Sequence, residues 1–117
     1  MNTIAALVAT IFAIQLSTAQ KLFPVEYQNH ADIAVCVMKY ANQADLKVYK
    51  VDYSNQAKGN AGLWFFTDYS NQADKTIFFV NYPNQADLKI FYVKFKNQAG
   101  WVNEAKKGLL DLSLFDF

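Results

Sequence analysis

Apolar and polar residues alternate along most of the chain, with a period of two that breaks once in every copy of a repeat. In Asp45 to Tyr53, Leu46 and Val48 fall on one face of an extended segment, while Tyr49, Val51 and Tyr53 fall on the other. Leu88 and Ile90 against Phe91, Val93 and Phe95 repeat that change of phase. Val, Tyr, Ile and Phe dominate these stretches, which predicts strands rather than helices. A strand wetted on one face alternates strictly, so the phase change implies either a bend that switches faces or cover on both faces. Eight or nine extended residues rise roughly 27 to 30 Å, enough to cross a small domain once.

The strand segments are separated by Asn-Gln-Ala triplets that begin at Asn29 (with His30 in place of Gln), Asn42, Asn55, Asn71, Asn84 and Asn97. Their spacing is 13, 13, 16, 13 and 13 residues. A period this regular makes the fold an array of one supersecondary unit, here one strand and one turn of 13 residues. The six asparagines are predicted to be turn residues, because Asn and Asp tolerate left-handed backbone angles and hydrogen-bond nearby main chain. The expected class is all-β, a compact wound repeat of short strands in one domain over residues 27–110, with a lead-in at 20–26 and a hydrophobic tail at 111–117.

Ile4 to Leu16 is an uncharged apolar run followed by Ser17, Thr18 and Ala19. It is shorter than the about 20 residues that span a bilayer, and small residues at Ser17 and Ala19 suit a signal peptidase. Residues 1–19 are therefore read as a signal-peptide helix cleaved near Ala19, which predicts a secreted, extracellular or periplasmic protein with no membrane span in the mature chain. Cys36 is the sole cysteine, so stability must come from packing or topology rather than an internal disulfide. Every Asn lacks the Ser or Thr two positions on that N-glycosylation needs.

Eleven lysines face ten acids with no arginine and no basic cluster, which argues against nucleic acid as a partner. A single His and a single Cys exclude the usual metal sets and nucleophile pairs. His30 is expected to make a turn hydrogen bond and Cys36 to lie in the core. Asp32, Asp45, Asp74 and Asp87 recur at one repeat position; calcium is the sharp reading, but turns carrying alanine instead of wrapping glycines favour aspartates that start strands. No catalytic residue, metal or cofactor is predicted, and the chain is read as a monomer that is not an enzyme.

Lys58 to Leu63 is the only expansion in the array and holds Gly59, Asn60 and Gly62, followed directly by Trp64. Irregular loops on rigid scaffolds often carry binding, so Lys58, Gly59, Asn60, Gly62, Trp64 and Trp101 are the candidate binding residues. The bland alternative is that both tryptophans cap the core and the glycines only let the chain turn.

The copies Tyr40 to Asp52, Tyr53 to Asp68, Tyr69 to Asn81 and Tyr82 to Lys94, with Gly59, Leu63, Trp64 and the closing Asn97-Gln98-Ala99-Gly100-Trp101, resemble the septoil knot domains. The resemblance spans Tyr27 to Leu110 and implies a β-rich chain wound into a seven-crossing torus knot, in a family without an assigned biochemical function. Departures are His30 for Gln, and Lys58 and Gly100 for the turn aspartate. The leading expectation is a non-enzymatic, kinetically stable secreted domain with a structural or binding role. The second is a carbohydrate- or surface-binding module using Trp64, Trp101 and nearby Asn and Gln.

Overall fold

The computed structural model describes residues 20–110, so the expected signal peptide (1–19) and the tail (111–117) lie outside the described residues. The remainder is all-β: β1 (Lys21–Pro24), β2 (Ile33–Val37), β3 (Leu46–Lys50), β4 (Leu63–Phe66), β5 (Lys75–Phe79), β6 (Leu88–Tyr92) and β7 (Gly100–Trp101). A short 3-10 turn follows each of β1 to β6, and a 3-10 run, Glu104–Leu109, ends the described chain. Strands β1 to β6 are four or five residues long rather than eight or nine, because the second half of each apolar segment leaves the sheet to form a connection.

The strands pair in the order β4-β1-β5-β2-β6-β3, and β3 pairs again with β4, which closes a six-stranded parallel barrel. Strand β7 hangs antiparallel on the first half of β3, Leu46 opposite Trp101. Strands that follow one another in sequence are therefore not neighbours, except β3 and β4. The first lap, β1 to β3, leaves gaps that β5 and β6 of the second lap fill.

Register explains how connections of about eight residues can join parallel strands, which ordinarily need a dozen or more. Val37, the last residue of β2, and Leu46, the first of β3, both lie opposite Ile90 of β6. Pro24 and Ile33 both lie opposite Ile77, Phe66 and Lys75 both opposite Leu22, and Phe79 and Leu88 both opposite Val35. Each of β2, β3, β5 and β6 thus starts at the level where its predecessor ended. The chain need only move sideways by two inter-strand spacings, roughly 10 Å, across the strand between. Stagger of this kind is the steep tilt that lets few strands close a barrel.

Hydrogen bonds mark both ends of that crossing. Met38 N–H donates to Ile90 C=O on one flank of β6, and Asp45 N–H donates to Lys89 C=O on the other, at 2.7 Å each. Val25 and Asp32 straddle β5 through Ile77 and Thr76, Thr67 and Asp74 straddle β1 through Leu22 and Lys21, and Val80 and Asp87 straddle β2 through Val35 and Ala34. Each turn packs against the strand it crosses. The outer faces of the strands are covered this way, so of the two readings of the phase change, cover on both faces and departure from the sheet occur together.

Inside the barrel, Leu22, Ile33, Val35, Leu46, Val48, Trp64, Ile77, Leu88, Ile90 and Leu110 form one cluster, each at most 3% exposed. All but Leu110 are strand positions facing inward at a period of two. Leu110 closes one end, its carbonyl accepting from Gln20 Nε2 at 3.2 Å. Strand β1 is a barrel strand with Leu22 wholly buried, although the sequence reads residues 20–26 only as a lead-in. Lys-Leu-Phe-Pro is too short to show alternation by itself.

Candidate functional site

Each aromatic-x-Asn-Gln segment folds as a 3-10 turn because the third N–H reaches back to the aromatic residue's carbonyl: Gln43 to Tyr40 at 3.1 Å, Gln85 to Tyr82 at 3.0 Å, His30 to Tyr27 at 3.1 Å. Pro83 suits the first position, where no N–H is needed. Asn29, Asn42, Asn55, Asn71, Asn84 and Asn97 are the central residues of the six turns, and their side chains are exposed. Left-handed backbone, expected for these asparagines, is absent: among the described residues only glycines have positive φ. The 3-10 geometry makes the reversal without it.

The turn aspartates bond across strands rather than locally. Asp45 Oδ2 accepts from Lys89 N–H, Asp74 Oδ2 from Lys21 N–H, Asp87 Oδ2 from Ala34 N–H and Asp32 Oδ2 from Thr76 N–H, all at 2.9 Å. In each case the residue whose carbonyl receives the aspartate N–H returns its own N–H to the carboxylate. These are charge-assisted bonds that clamp one strand's start to the crossing chain. The carboxylates are therefore engaged one by one around the barrel, and no group of three His, Cys, Asp or Glu that could hold a metal is present among the described residues.

The expansion is placed where the winding changes step. Val51 N–H donates to Trp64 C=O, and after the third turn Gln20 N–H donates to Ala57 C=O, so the connection crosses β4 and arrives beside the start of β1. Residues 58–62 then bring the chain back by one strand position to begin β4. Gly62, at φ 90°, permits this: it is buried, and a Cβ there would press on the Lys47 carbonyl oxygen. Gly59 has φ 74° in open space. Asn60 Nδ2 donates to Lys107 C=O at 3.0 Å, and Asn60 C=O accepts from Trp101 Nε1 at 2.8 Å. The loop is tied to the C-terminal segment on one side and to Trp101 on the other.

The two tryptophans separate. Trp64 is wholly buried in the core and meets Phe66 edge to face, with ring centroids 6.1 Å apart. Its ring is not available to stack on a ligand, so for Trp64 the core reading holds. Trp101 is half-buried, packs on the edge of the core and borders a cleft of about 750 Å³ with Lys47, Phe91, Lys94, Asn97 and Gln98. Lys58 is exposed. The structure therefore places Lys58, Gly59, Asn60 and Gly62 in one loop touching Trp101, with Trp64 beneath. Sequence reasoning missed the cleft residues Lys47 of β3, Phe91 of β6 and Lys94 of the connection that follows β6.

His30 is exposed, with its ring against Tyr27 at 5.9 Å. It is the His30 backbone carbonyl, accepting from Thr76 Oγ1 at 3.2 Å, that ties this turn to β5. Cys36 is buried, on the outward side of β2. Burial raises the pKa of the Tyr92 phenol above its ordinary value, with Lys50 Nζ lying 4.7 Å from its ring centroid.

No curated protein and no solved structure matches the chain. The family profile described as the 7(1) septoil knot domain matches residues 19–102, which include all of β1 to β7. With most of its length covered by that profile, the chain belongs to the septoil knot domain family.

Proposed function

We propose that the protein is a non-enzymatic, secreted domain whose interleaved barrel resists unfolding, and that it serves as a durable scaffold presenting binding residues on its outside. The observation that carries this reading is the placement of β5 between β1 and β2, and of β6 between β2 and β3. The clamps joining them connect residues 44 or 53 positions apart. None of β1, β2, β3, β5 or β6 can detach without breaking pairs with two neighbours, both distant in sequence in most cases. Contacts of such long range form slowly and are lost together, which favours kinetic stability in an extracellular setting. A closed barrel also removes the open sheet edges through which β-proteins associate, in keeping with a monomer.

The knot denoted by the family name belongs to this reading. It is supported by connections that cross the strand lying between the two they join. The experiment is a jump into concentrated urea at 25 °C followed by tryptophan fluorescence. Unfolding over hours or longer supports the proposal; completion within seconds, as in many small domains, contradicts it.

A further inference from the structure

We propose that the cleft between the sixth turn (Lys96–Gln98) and strands β3 and β6 binds an acidic oligosaccharide, a chain of sugar rings carrying carboxylate or sulfate groups. This rests on the reading of the protein as a secreted binding scaffold, from which the choice of an extracellular ligand follows. The barrel's outside carries a series of repeat-related clefts, each between an outward strand residue and the turn that follows it. Phe91 and Gln98 border the one at the sixth turn, Phe65 and Gln72 that at the fourth, Cys36 and Gln43 that at the second, and Phe23 and His30 that at the first. Winding a repeat around a barrel produces such clefts automatically, so their existence alone implies no ligand.

The sixth-turn cleft departs from the series in three respects. It is the largest of these, at about 750 Å³ against about 490, 230 and 340 Å³, and falls within the range of small-molecule sites. It holds two cations and no acid: Lys47 and Lys94 line it without any carboxylate, whereas the second-turn cleft has Lys39 alone, Asp68 and Asp74 accompany Lys21 at the fourth turn, and Glu26 lies in the first-turn cleft. The position held by Asp32, Asp45, Asp74 and Asp87 in other copies is Gly100 here, which removes the acid that would oppose an anion. Finally, Trp101 replaces the aliphatic or lysine residue that starts other strands, and its bond to Asn60 C=O at 2.8 Å fixes the indole.

These features fit one ligand chemistry. The Trp101 and Phe91 rings offer apolar surface for the C–H faces of a pyranose. Asn97 is exposed and Gln98 has only its Oε1 engaged, toward Phe95 N–H at 3.3 Å, which leaves amide donors for ring hydroxyls. Neither lysine has a carboxylate partner among the described residues, so both ammonium groups are available to an anionic substituent. An acidic peptide would satisfy the lysines but not the combination of fixed ring and amides.

The test is titration of the intact protein, by calorimetry and by NMR of its backbone and indole signals, with a galacturonic acid trimer, a sulfated heparin-type tetrasaccharide, neutral cellotriose and hexaglutamate. The expected result is binding of at least one acidic sugar with shifts at the Trp101 indole, Asn97 and Lys94. Cellotriose and hexaglutamate should bind at least tenfold more weakly, and Lys94→Glu should weaken the acidic sugar at least tenfold with an unchanged urea midpoint. Lys47→Ala gives a second variant for the same loss. Absence of binding by both acidic sugars at millimolar concentration overturns the proposal. Equal binding of hexaglutamate, or affinity indifferent to both lysine substitutions, also overturns it. Unfolding kinetics are read separately, so a failure here is distinct from a failure of the scaffold reading.

Discussion

Asp45 and Lys89 hold each other twice: the Asp45 N–H reaches the Lys89 carbonyl at 2.7 Å, and the Lys89 N–H returns to Asp45 Oδ2 at 2.9 Å. The same reciprocal clamp recurs at Asp32 with Thr76, Asp74 with Lys21 and Asp87 with Ala34. It fastens the end of each connection to the strand just crossed, and so locks the step of the winding. Asp45 has the deepest place of the four, at 6% exposed, and its Oδ1 also accepts from Asn103 Nδ2 at 3.3 Å.

Removing that carboxylate leaves the part-buried Lys89 N–H and Asn103 Nδ2 without it as a partner. Asp45→Ala should therefore lower stability by about 1.5–3 kcal/mol, the range for a hydrogen bond to a charged group. Asp32→Ala, at an exposed position, should cost less. Equilibrium urea unfolding of both variants measures the difference, and equal small losses would show that the clamp is not structural.

Gly62 and Gly59 both have positive φ but differ in surroundings. Gly59→Ala should cost about 1–2 kcal/mol, from backbone strain alone. Gly62→Ala adds a clash with the Lys47 carbonyl oxygen and should be the more damaging of the two, shifting the urea midpoint further or preventing folding.

Trp64 fills the barrel where no solvent reaches it. Trp64→Ala should cost about 3–5 kcal/mol, as for other large-to-small core changes. The Trp64 emission should be blue-shifted and shielded from quenchers, which a Trp101→Phe variant would isolate for measurement.

Tyr92 supplies a dependence on alkaline pH. Burial raises its folded pKa above the unfolded one, so its contribution is full below the ordinary phenol value of 10.0 and is lost as pH rises through the raised one. Urea midpoints should fall across that window, and Tyr92→Phe should flatten the fall. An unchanged slope in the variant would contradict the assignment.

The three-residue expansion is predicted to be indispensable. Steps of two positions around six strands would bring the fourth strand onto the place of β1; residues 58–62 convert one step of two into a step of one. Deleting Asn60 to Gly62, which restores uniform spacing, should abolish the dispersed amide spectrum of the folded state. Retention of a native-like spectrum would refute this role.

The strands and turns could be read from the sequence because Asn-Gln-Ala recurs at a fixed interval and Leu46-x-Val48 alternates. The winding could not: a 13-residue period fixes the length of a step, not how many strands it crosses. That number emerges only from register, as when Val37 and Leu46 meet the same Ile90. Nothing in Lys21–Pro24 marks β1, since its pairing is decided by β4 and β5 far along the chain. The aspartates were recognisable as turn residues but their partners were not. The loop at Gly59 and Trp101 was legible as an irregularity, whereas Lys47 meets Phe91 and Lys94 beside Trp101 only because β3 pairs with both β6 and β7.

Interleaving is best tested by NMR contacts between backbone protons across β3. Val48 opposite Tyr92 and Tyr49 opposite Leu63 should give strong cross-strand effects, placing β3 between β6 and β4. Direct pairing of β3 with β2, its predecessor in the chain, would contradict the account.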